Sequence, residues 1–346
     1  MRAKLGSVAV AMCCIAMGVA CTTGGGLSFG GPPTIDPCAT EAGITCDPTF
    51  GHIVATPSGT PRGELVVFFH GAGAQPLAYT KLTAALSSQG FHVINLRYVG
   101  GVGTSVACPQ SIAVSDPECH RKFRAETVFG EGVADPDGHA YDWSGGSIDN
   151  KNSVMNRLLE LVRYLAAADP SQGWGQFQQT SSGVCTSVNT TYGPCNLNWS
   201  KVITMGHSLG SGVALYLSKV FPVHRAGLIS GPFDQFNDGS SVTVAPWIAE
   251  GGFATPPSRI YGFQHEGEPG AATTFAGWNA LGLAGPVASV DAGLQAVGSS
   301  HQLTTTIQPS CPLDSNQKHN STAQDLCTPS AFLAPVWTYL AGVPAV

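Results

Sequence analysis

The stretch at 201–212, KVITMGHSLGSG, constrains the fold of this chain more than any other. A short, mostly apolar run with β-branched residues meets the pentad GHSLG at 206–210, and a segment without proline or glycine follows at 213–221. This order predicts a strand, a sharp turn and a helix. On such a turn the serine backbone is strained, and Gly206 and Gly210 are expected where a Cβ would collide with a neighbouring strand or helix. Ser208 is therefore predicted to stand above the edge of a sheet.

A second glycine-containing motif lies upstream of the pentad. The run at 63–71, GELVVFFHG, is largely apolar, as expected of a strand buried on both faces, and it leads into the loop His70-Gly71-Ala72-Gly73. A helical pattern at 76–90 and another apolar run at 91–98 follow. Strand, helix and strand in this order form a βαβ unit, which predicts a parallel sheet.

Through these two motifs, at 206–210 and 68–73, the sequence resembles the α/β-hydrolase superfamily, bacterial esterase and lipase type, over roughly residues 50–342. The resemblance implies an α/β fold with a mostly parallel central sheet and helices on both faces. It also implies that Ser208 is the nucleophile and that two backbone amides stabilise an oxyanion. The expected donors are the amides of Leu209, at the start of the helix, and Ala72, with Gly73 next in line.

A serine hydroxyl needs a neutral imidazole to take its proton and a carboxylate to orient that imidazole. The chain order of the superfamily is serine, acid, histidine, which reduces the ten histidines to two. His319 is preferred as the base, because it lies on a loop before the predicted closing helix at 332–340. His301 is the alternative base if the last strand lies at 286–290 rather than at 303–307.

Three carboxylates compete for the role of the acid. Glu268, held between Gly267 and Pro269 in the loop after the predicted strand at 259–263, is preferred. Glu266 in the same loop and Asp234 after the preceding strand are the alternatives. For each of them alone, a solvated loop carboxylate is the ordinary interpretation.

These residues predict a serine hydrolase that cleaves carboxylic esters of a small molecule or a polymer through an acyl-enzyme on Ser208, with no metal or organic cofactor. A peptidase or amidase would use the same triad. A non-catalytic surface binding protein could keep the same fold. The net charge of −6 argues against nucleic acid as a partner.

The first 20 residues have the pattern of a secretory signal peptide, since Arg2 and Lys4 precede an uncharged apolar stretch. The stretch ends Gly18-Val19-Ala20-Cys21, which resembles the bacterial lipoprotein cleavage box, where Cys21 would become the lipidated first residue. The expected location is therefore the cell envelope, with a lipid anchor as the only membrane contact, or the periplasm or exterior.

Cysteine usage also indicates export. The chain has 11 cysteines, of which eight lie after Cys21 and fall into four pairs that are close in sequence. No Cys-x-x-Cys occurs, so disulfides are favoured over a metal site. The expected pairings are Cys38–Cys46, Cys108–Cys119, Cys185–Cys195 and Cys311–Cys327.

The expected organisation has three parts. A signal segment at 1–20 precedes a tether with a disulfide-stapled segment at 21–50, and the hydrolase domain occupies 51–346. Two irregular insertions are expected within that domain, near 100–146 and near 232–257. The first is interpreted as a wall of the substrate pocket, with plain surface decoration as the alternative. The resemblance implies that the second caps the active site, with an ordinary surface loop as the alternative.

Overall fold

The structure is a computed structural model that describes residues 34–180, 195–237, 242–309, 315–325 and 328–345. The strands, in chain order, are β1 Thr34–Ile35, β2 His52–Ala55, β3 Leu65–Phe69, β4 His92–Leu96, β5 Gln178–Thr180, β6 Cys195–Leu197, β7 Val202–His207, β8 Arg225–Ile229, β9 Gln235–Asn237, β10 Val242–Val244, β11 Ile260–His265, β12 Ala288–Ser289 and β13 Gln302–Thr305. The α-helices are α1 Thr80–Ser88, α2 Thr104–Ala107, α3 Gln110–Ser115, α4 Cys119–Phe129, α5 Val154–Ala168, α6 Leu209–Val220, α7 Pro246–Ala249, α8 Ala271–Leu281, α9 Ser315–Asn320 and α10 Ser330–Leu340.

One mixed sheet organises the described chain. Its nine strands have the order β1-β2-β4-β3-β7-β8-β11-β13-β12. The strands from β4 to β12 are parallel to their neighbours, whereas β2 runs antiparallel to β4 and β1 antiparallel to β2. The predicted mostly parallel sheet is therefore confirmed. Two further ribbons, β5 with β6 and β9 with β10, lie outside this sheet.

Helices cover both faces of the sheet, as predicted. The alternating side chains of β3 show why, since Leu65, Val67 and Phe69 enter one hydrophobic cluster and Val66 and Phe68 enter the other. The first cluster packs against α4, α5, α6 and α8, and the second against α1 and α10. A strand that is apolar at every position is thus buried on both sides.

The expectation of an irregular insertion at 100–146 is wrong, because this segment contains α2, α3 and α4. Helix α4 is buried almost all round and has polar side chains that find partners inside the protein. The Glu126 carboxylate accepts hydrogen bonds from the amides of Trp143 and Ile148, at 3.0 and 2.9 Å. A helix buried on all sides has no apolar stripe, so the periodicity that marks a surface helix was missing.

The second expected insertion, at 232–257, also contains regular structure, namely β9, β10 and α7. Trp247 and Ile248, which were expected in a cap, are buried in the cluster that packs against α5 and α6. These two side chains therefore belong to the core and not to an exposed cap.

Two of the four expected disulfides, Cys38–Cys46 and Cys108–Cys119, are present. The pairings Cys185–Cys195 and Cys311–Cys327 include residues outside the described part, as do the expected signal segment 1–20 and Cys21. None of the helices described is both long and apolar enough to span a bilayer.

Candidate active site

Ser208 lies on the sharp turn between β7 and α6, as the pentad predicts. Its backbone has φ 56° and ψ −116°, a strained combination for a residue other than glycine. The turn is held by a hydrogen bond from the Ser208 amide to the Ile229 carbonyl at 2.8 Å, and by one from the Ser211 hydroxyl to the Ser208 carbonyl at 2.6 Å. The half-buried serine is thus presented at the carboxyl edge of the sheet, where parallel sheets bind ligands.

Two glycines make this turn sterically feasible. A Cβ at Gly206 would collide with the Gly210 carbonyl at the start of α6, and a Cβ at Gly210 would collide with the Phe69 carbonyl at the end of β3. Both obstacles are backbone atoms that cannot move aside. The predicted reason for these glycines, close contact with a neighbouring strand and helix, is therefore confirmed.

A buried ion pair supports the turn from below. Arg124 of α4 donates to both carboxylate oxygens of Asp234, at 2.9 and 2.5 Å, and to the Leu209 carbonyl at 2.9 Å. Burial acts to raise the pKa of Asp234, but the charge and hydrogen bonds of Arg124 outweigh it and hold the pKa below its usual value. Asp234, an alternative acid in the sequence, is therefore committed to Arg124 and not to a histidine.

His319 and Glu268 form a pair near the turn, although His319 lies in the short helix α9 and not on a loop as expected. His319 Nδ1 lies 3.3 Å from Glu268 Oε2, so the ring donates from this nitrogen to the carboxylate. The His319 ring is 4.7 Å from the ring of His207, which directly precedes Ser208. An imidazole whose Nδ1 is bound by a buried carboxylate has Nε2 left to accept a proton. Ser208 Oγ itself makes no hydrogen bond to the described residues; such bonds often form only with substrate bound.

Glu268 is held in place by the loop around it. Its amide donates to the His265 carbonyl at 3.2 Å, and Ser230 at the end of β8 donates from its hydroxyl to Oε2 at 2.6 Å. Burial raises the pKa of Glu268, while its hydrogen bonds to His319 and Ser230 act in the opposite direction. The Thr322 hydroxyl donates to the His319 carbonyl at 2.7 Å, which also fixes the histidine from behind.

The other two alternative residues lie in different surroundings. His301 Nδ1 donates to the Ile260 carbonyl at 3.0 Å, and its ring stacks on Tyr261 at 3.8 Å between centroids. Glu266 is exposed and accepts a hydrogen bond from Thr304 at 2.8 Å. Neither side chain is paired with the other members of the expected triad.

The loop after β3 meets the turn after β7, because Phe69 pairs with Gly206 in neighbouring parallel strands. A Cβ at Gly71 would lie 3.3 Å from the Cβ of Ser208, so the loop backbone passes directly beside the serine. In the part of the chain that is described, the amides of Ala72 and Leu209 have no hydrogen-bond acceptor. The Gly73 amide is occupied, since it donates to the Gly100 carbonyl at 2.9 Å.

Sequence reasoning missed several residues of this arrangement. Ser230 had a weak signal, because it ends a predicted strand on the same sheet edge as Ser208, and its φ of 49° marks a second strained turn. Arg124 had none, because it lies in a helix whose relation to the pentad is set only by the tertiary fold. The assembled groups can supply a nucleophile, a base with its orienting carboxylate, and two donors for an oxyanion.

No protein-family model matches the sequence, and no curated protein is significantly similar to it. Similar solved structures include the esterase domain of a Rhodothermus marinus protein, with 14% identity over 84% of this chain and 89% of that one and a TM-score of 0.36. Thermogutta terrifontis esterase 2 has 10% identity, coverage of 80% and 84%, and a TM-score of 0.37. A serine hydrolase homologue from Coxiella burnetii has 11% identity, coverage of 84% and 88%, and a TM-score of 0.36. At these values the functional argument depends on the geometry of the site alone.

Proposed function

The chain has the α/β-hydrolase fold, and from that premise we propose that it is a serine hydrolase that cleaves carboxylic esters through an acyl-enzyme on Ser208. The observation that carries the proposal is the contact of His319 Nδ1 with the buried Glu268 carboxylate, at 3.3 Å, beside the strained turn of Ser208. A paired histidine and acid next to a half-buried serine at the edge of the sheet is the arrangement that acyl transfer requires.

In the first half of the reaction, Ser208 Oγ attacks the ester carbonyl carbon while His319 Nε2 takes the hydroxyl proton. The negative charge that forms on the carbonyl oxygen is stabilised by the amides of Ala72 and Leu209, which have no other acceptor in the described chain. Collapse of the tetrahedral species breaks the bond to the alkoxy oxygen, and His319 returns its proton to that leaving alcohol.

In the second half, water attacks the acyl-enzyme by the same route. His319 takes a proton from the water as it attacks, and the proton then goes to Ser208 Oγ as the acid product leaves. Glu268 orients the ring and stabilises the imidazolium in both halves without being protonated itself. Ser230 and Thr322 hold the two partners in position through the contacts described above.

The test is covalent labelling of the purified, oxidised protein with a fluorophosphonate, followed by mapping of the adduct. We expect one adduct on Ser208 and none on Ser208→Ala. Ser88→Ala serves as a control, because Ser88 is exposed at the end of α1, where its hydroxyl donates to the Ala85 carbonyl, and its removal leaves Ser208 and its surroundings unchanged. An unlabelled folded wild-type protein would contradict the proposal and favour a binding protein that keeps the fold.

Substrate preference follows from parallel assays with matched esters and amides of the same acyl group. Faster turnover of the esters is expected from the proposal. A protein that labels on Ser208 but hydrolyses the amides better would instead be a peptidase or amidase on the same residues.

We also propose that the enzyme works outside the cytoplasm, in the cell envelope or the exterior. The disulfides Cys38–Cys46 and Cys108–Cys119 support this location, because disulfides persist in oxidising compartments. Lipidation of Cys21 is tested by metabolic labelling with an alkyne fatty acid. The label is expected on the wild-type protein and not on Cys21→Ser; equal labelling of both would contradict a lipid on this residue.

A further inference from the structure

Two buried side chains, Tyr79 and His207, connect three segments of the candidate site: the loop after β3, the turn after β7 and the end of α9 at His319. Tyr79 ends the short 3-10 turn at Pro76–Tyr79, and His207 is the last residue of β7. Both are almost completely buried. The Gly71 amide donates to the Tyr79 hydroxyl oxygen at 2.9 Å, this hydroxyl lies 3.0 Å from His207 Nδ1, and His207 Nε2 lies 3.1 Å from the His319 carbonyl.

The positions of the protons in this series of hydrogen bonds follow from its last acceptor, the His319 carbonyl. A carbonyl can only accept, so His207 Nε2 must bear the proton that it shares with His319. Burial and the neighbouring His319 imidazole lower the pKa of His207 well below its usual value, so its ring is neutral and Nδ1 is an acceptor. The Tyr79 hydroxyl must then donate to Nδ1, which leaves its oxygen to accept from the Gly71 amide.

These hydrogen bonds therefore all run from Gly71 toward His319, and neither Tyr79 nor His207 is available for proton transfer. Burial raises the pKa of Tyr79, so the phenol keeps its proton. A more distant donor, the amide of Gln324 at 3.5 Å, also points to the phenol oxygen and agrees with this direction. Every donor in this series of hydrogen bonds is used once, so replacing Tyr79 or His207 leaves a buried polar group without its partner.

The connected segments carry the three groups of the proposed reaction, namely an oxyanion donor, the nucleophile and the base. Gly71 precedes Ala72, His207 precedes Ser208, and the last acceptor is the backbone of His319 itself. Gly71 also packs against the turn after β7, since a Cβ there would lie 3.0 Å from His207 Nδ1 and 3.3 Å from the Ser208 Cβ. Relative displacement of the oxyanion loop, the nucleophile and the base would break a buried hydrogen bond.

We propose that Tyr79 and His207 are positioning residues that hold the loop after β3, the turn after β7 and the end of α9 at His319 in fixed relative positions. This inference rests on the proposed function, because it assigns the two side chains a role in that reaction. Small displacements of reacting groups are costly, with about 100-fold lost for about 1 Å. The loss should appear in the chemical step and not in the binding of substrate.

The first variant is Tyr79→Phe, which keeps the ring and removes the hydroxyl. Its matched control is Tyr216→Phe, because Tyr216 is equally buried but its hydroxyl lies 3.5 Å from Asp135, outside the three connected segments. We measure kcat and KM with a soluble ester, the rate of fluorophosphonate labelling, and the melting temperature. For Tyr79→Phe we expect kcat and the labelling rate to fall about tenfold to a hundredfold with KM changed by less than about threefold. For Tyr216→Phe we expect rates within about twofold of wild type.

The second measurement is a double-mutant cycle with His207→Phe. If Tyr79 and His207 act as a unit, Tyr79→Phe should reduce kcat by less than about threefold once His207 is already replaced. Effects that multiply would overturn the inference, and so would equal rates for Tyr79→Phe and Tyr216→Phe in a wild-type background that labels on Ser208. A wild-type protein without an adduct on Ser208 would instead overturn the proposed function itself. Should His207→Phe fail to fold, the two tyrosine variants decide alone.

Discussion

The turn that carries Ser208 and the pair formed by His319 and Glu268 differ in how far apart their parts lie in the chain. The turn is built within five residues, 206–210, and its conformation follows from two glycines that face backbone atoms. The pair is assembled from residues 51 positions apart, and it depends on Ser230 after β8 and on Thr322, three residues after His319. The turn of the proposed nucleophile is therefore set by its own glycines and one neighbouring strand, whereas the proposed acid and base are brought together by tertiary packing.

The difference has a consequence for stability as well as for activity. Residues of the turn contribute to the packing of β3, β7 and α6, so changes there should damage the fold. The Glu268 carboxylate is buried and its pKa is raised by that burial, so the surroundings disfavour the charged form that the proposed reaction uses. Changes there should damage activity and spare the fold.

The largest effect is expected for Glu268→Gln. The amide keeps the size of the side chain but cannot stabilise the imidazolium, so we expect kcat to fall about a thousandfold to ten-thousandfold in ester hydrolysis. Glu266→Gln is the matched control in the same loop, and its exposed side chain predicts kcat within about twofold of wild type. A larger loss of kcat for Glu266→Gln than for Glu268→Gln would show that the acid is Glu266 and not Glu268.

The next effect concerns the turn. Gly210→Ala drives a Cβ into the Phe69 carbonyl, so we expect the free energy of unfolding to fall by about 3 kcal/mol, together with loss of Ser208 labelling. In Gly277→Ala the new methyl group meets open space in α8, and stability should stay the same or rise by up to about 1 kcal/mol. Urea unfolding measures both, and equal midpoints would refute the steric account of the turn.

The smallest effect is a pH dependence of stability. Because burial raises the pKa of Glu268, the folded state binds this proton more tightly than the unfolded state, and stability falls as pH rises from the unfolded value of about 4.3 through the raised folded value. Glu268→Gln lacks this titration. We therefore expect the variant to be more stable than wild type at pH 7.5, with the difference shrinking toward pH 4 in urea unfolding. A difference that grows toward pH 4 would contradict the assigned direction.

The same contrast explains what could be predicted from the sequence. The strands β3 and β7 and the turn after β7 were predictable, because apolar runs and glycine positions are local signals. The choice between His319 and His301 depended on which strand is last, a property of the whole sheet. Helix α4 gave no signal, because two of its buried polar side chains, Arg124 and Glu126, have partners far away in the sequence. Tyr79 had no signal for the same reason, since its partners Gly71 and His207 are set by strand pairing and not by spacing.

The most direct test of the central assignment compares His319→Ala with His301→Ala in the rate of fluorophosphonate labelling at Ser208. Both variants remove an imidazole, but only His319 contacts Glu268, whereas His301 bonds to the Ile260 carbonyl and stacks on Tyr261. We predict that His319→Ala labels at least about a thousandfold more slowly than wild type and that His301→Ala stays within a few-fold. Rapid labelling of folded His319→Ala, with loss of labelling in folded His301→Ala, would contradict the account.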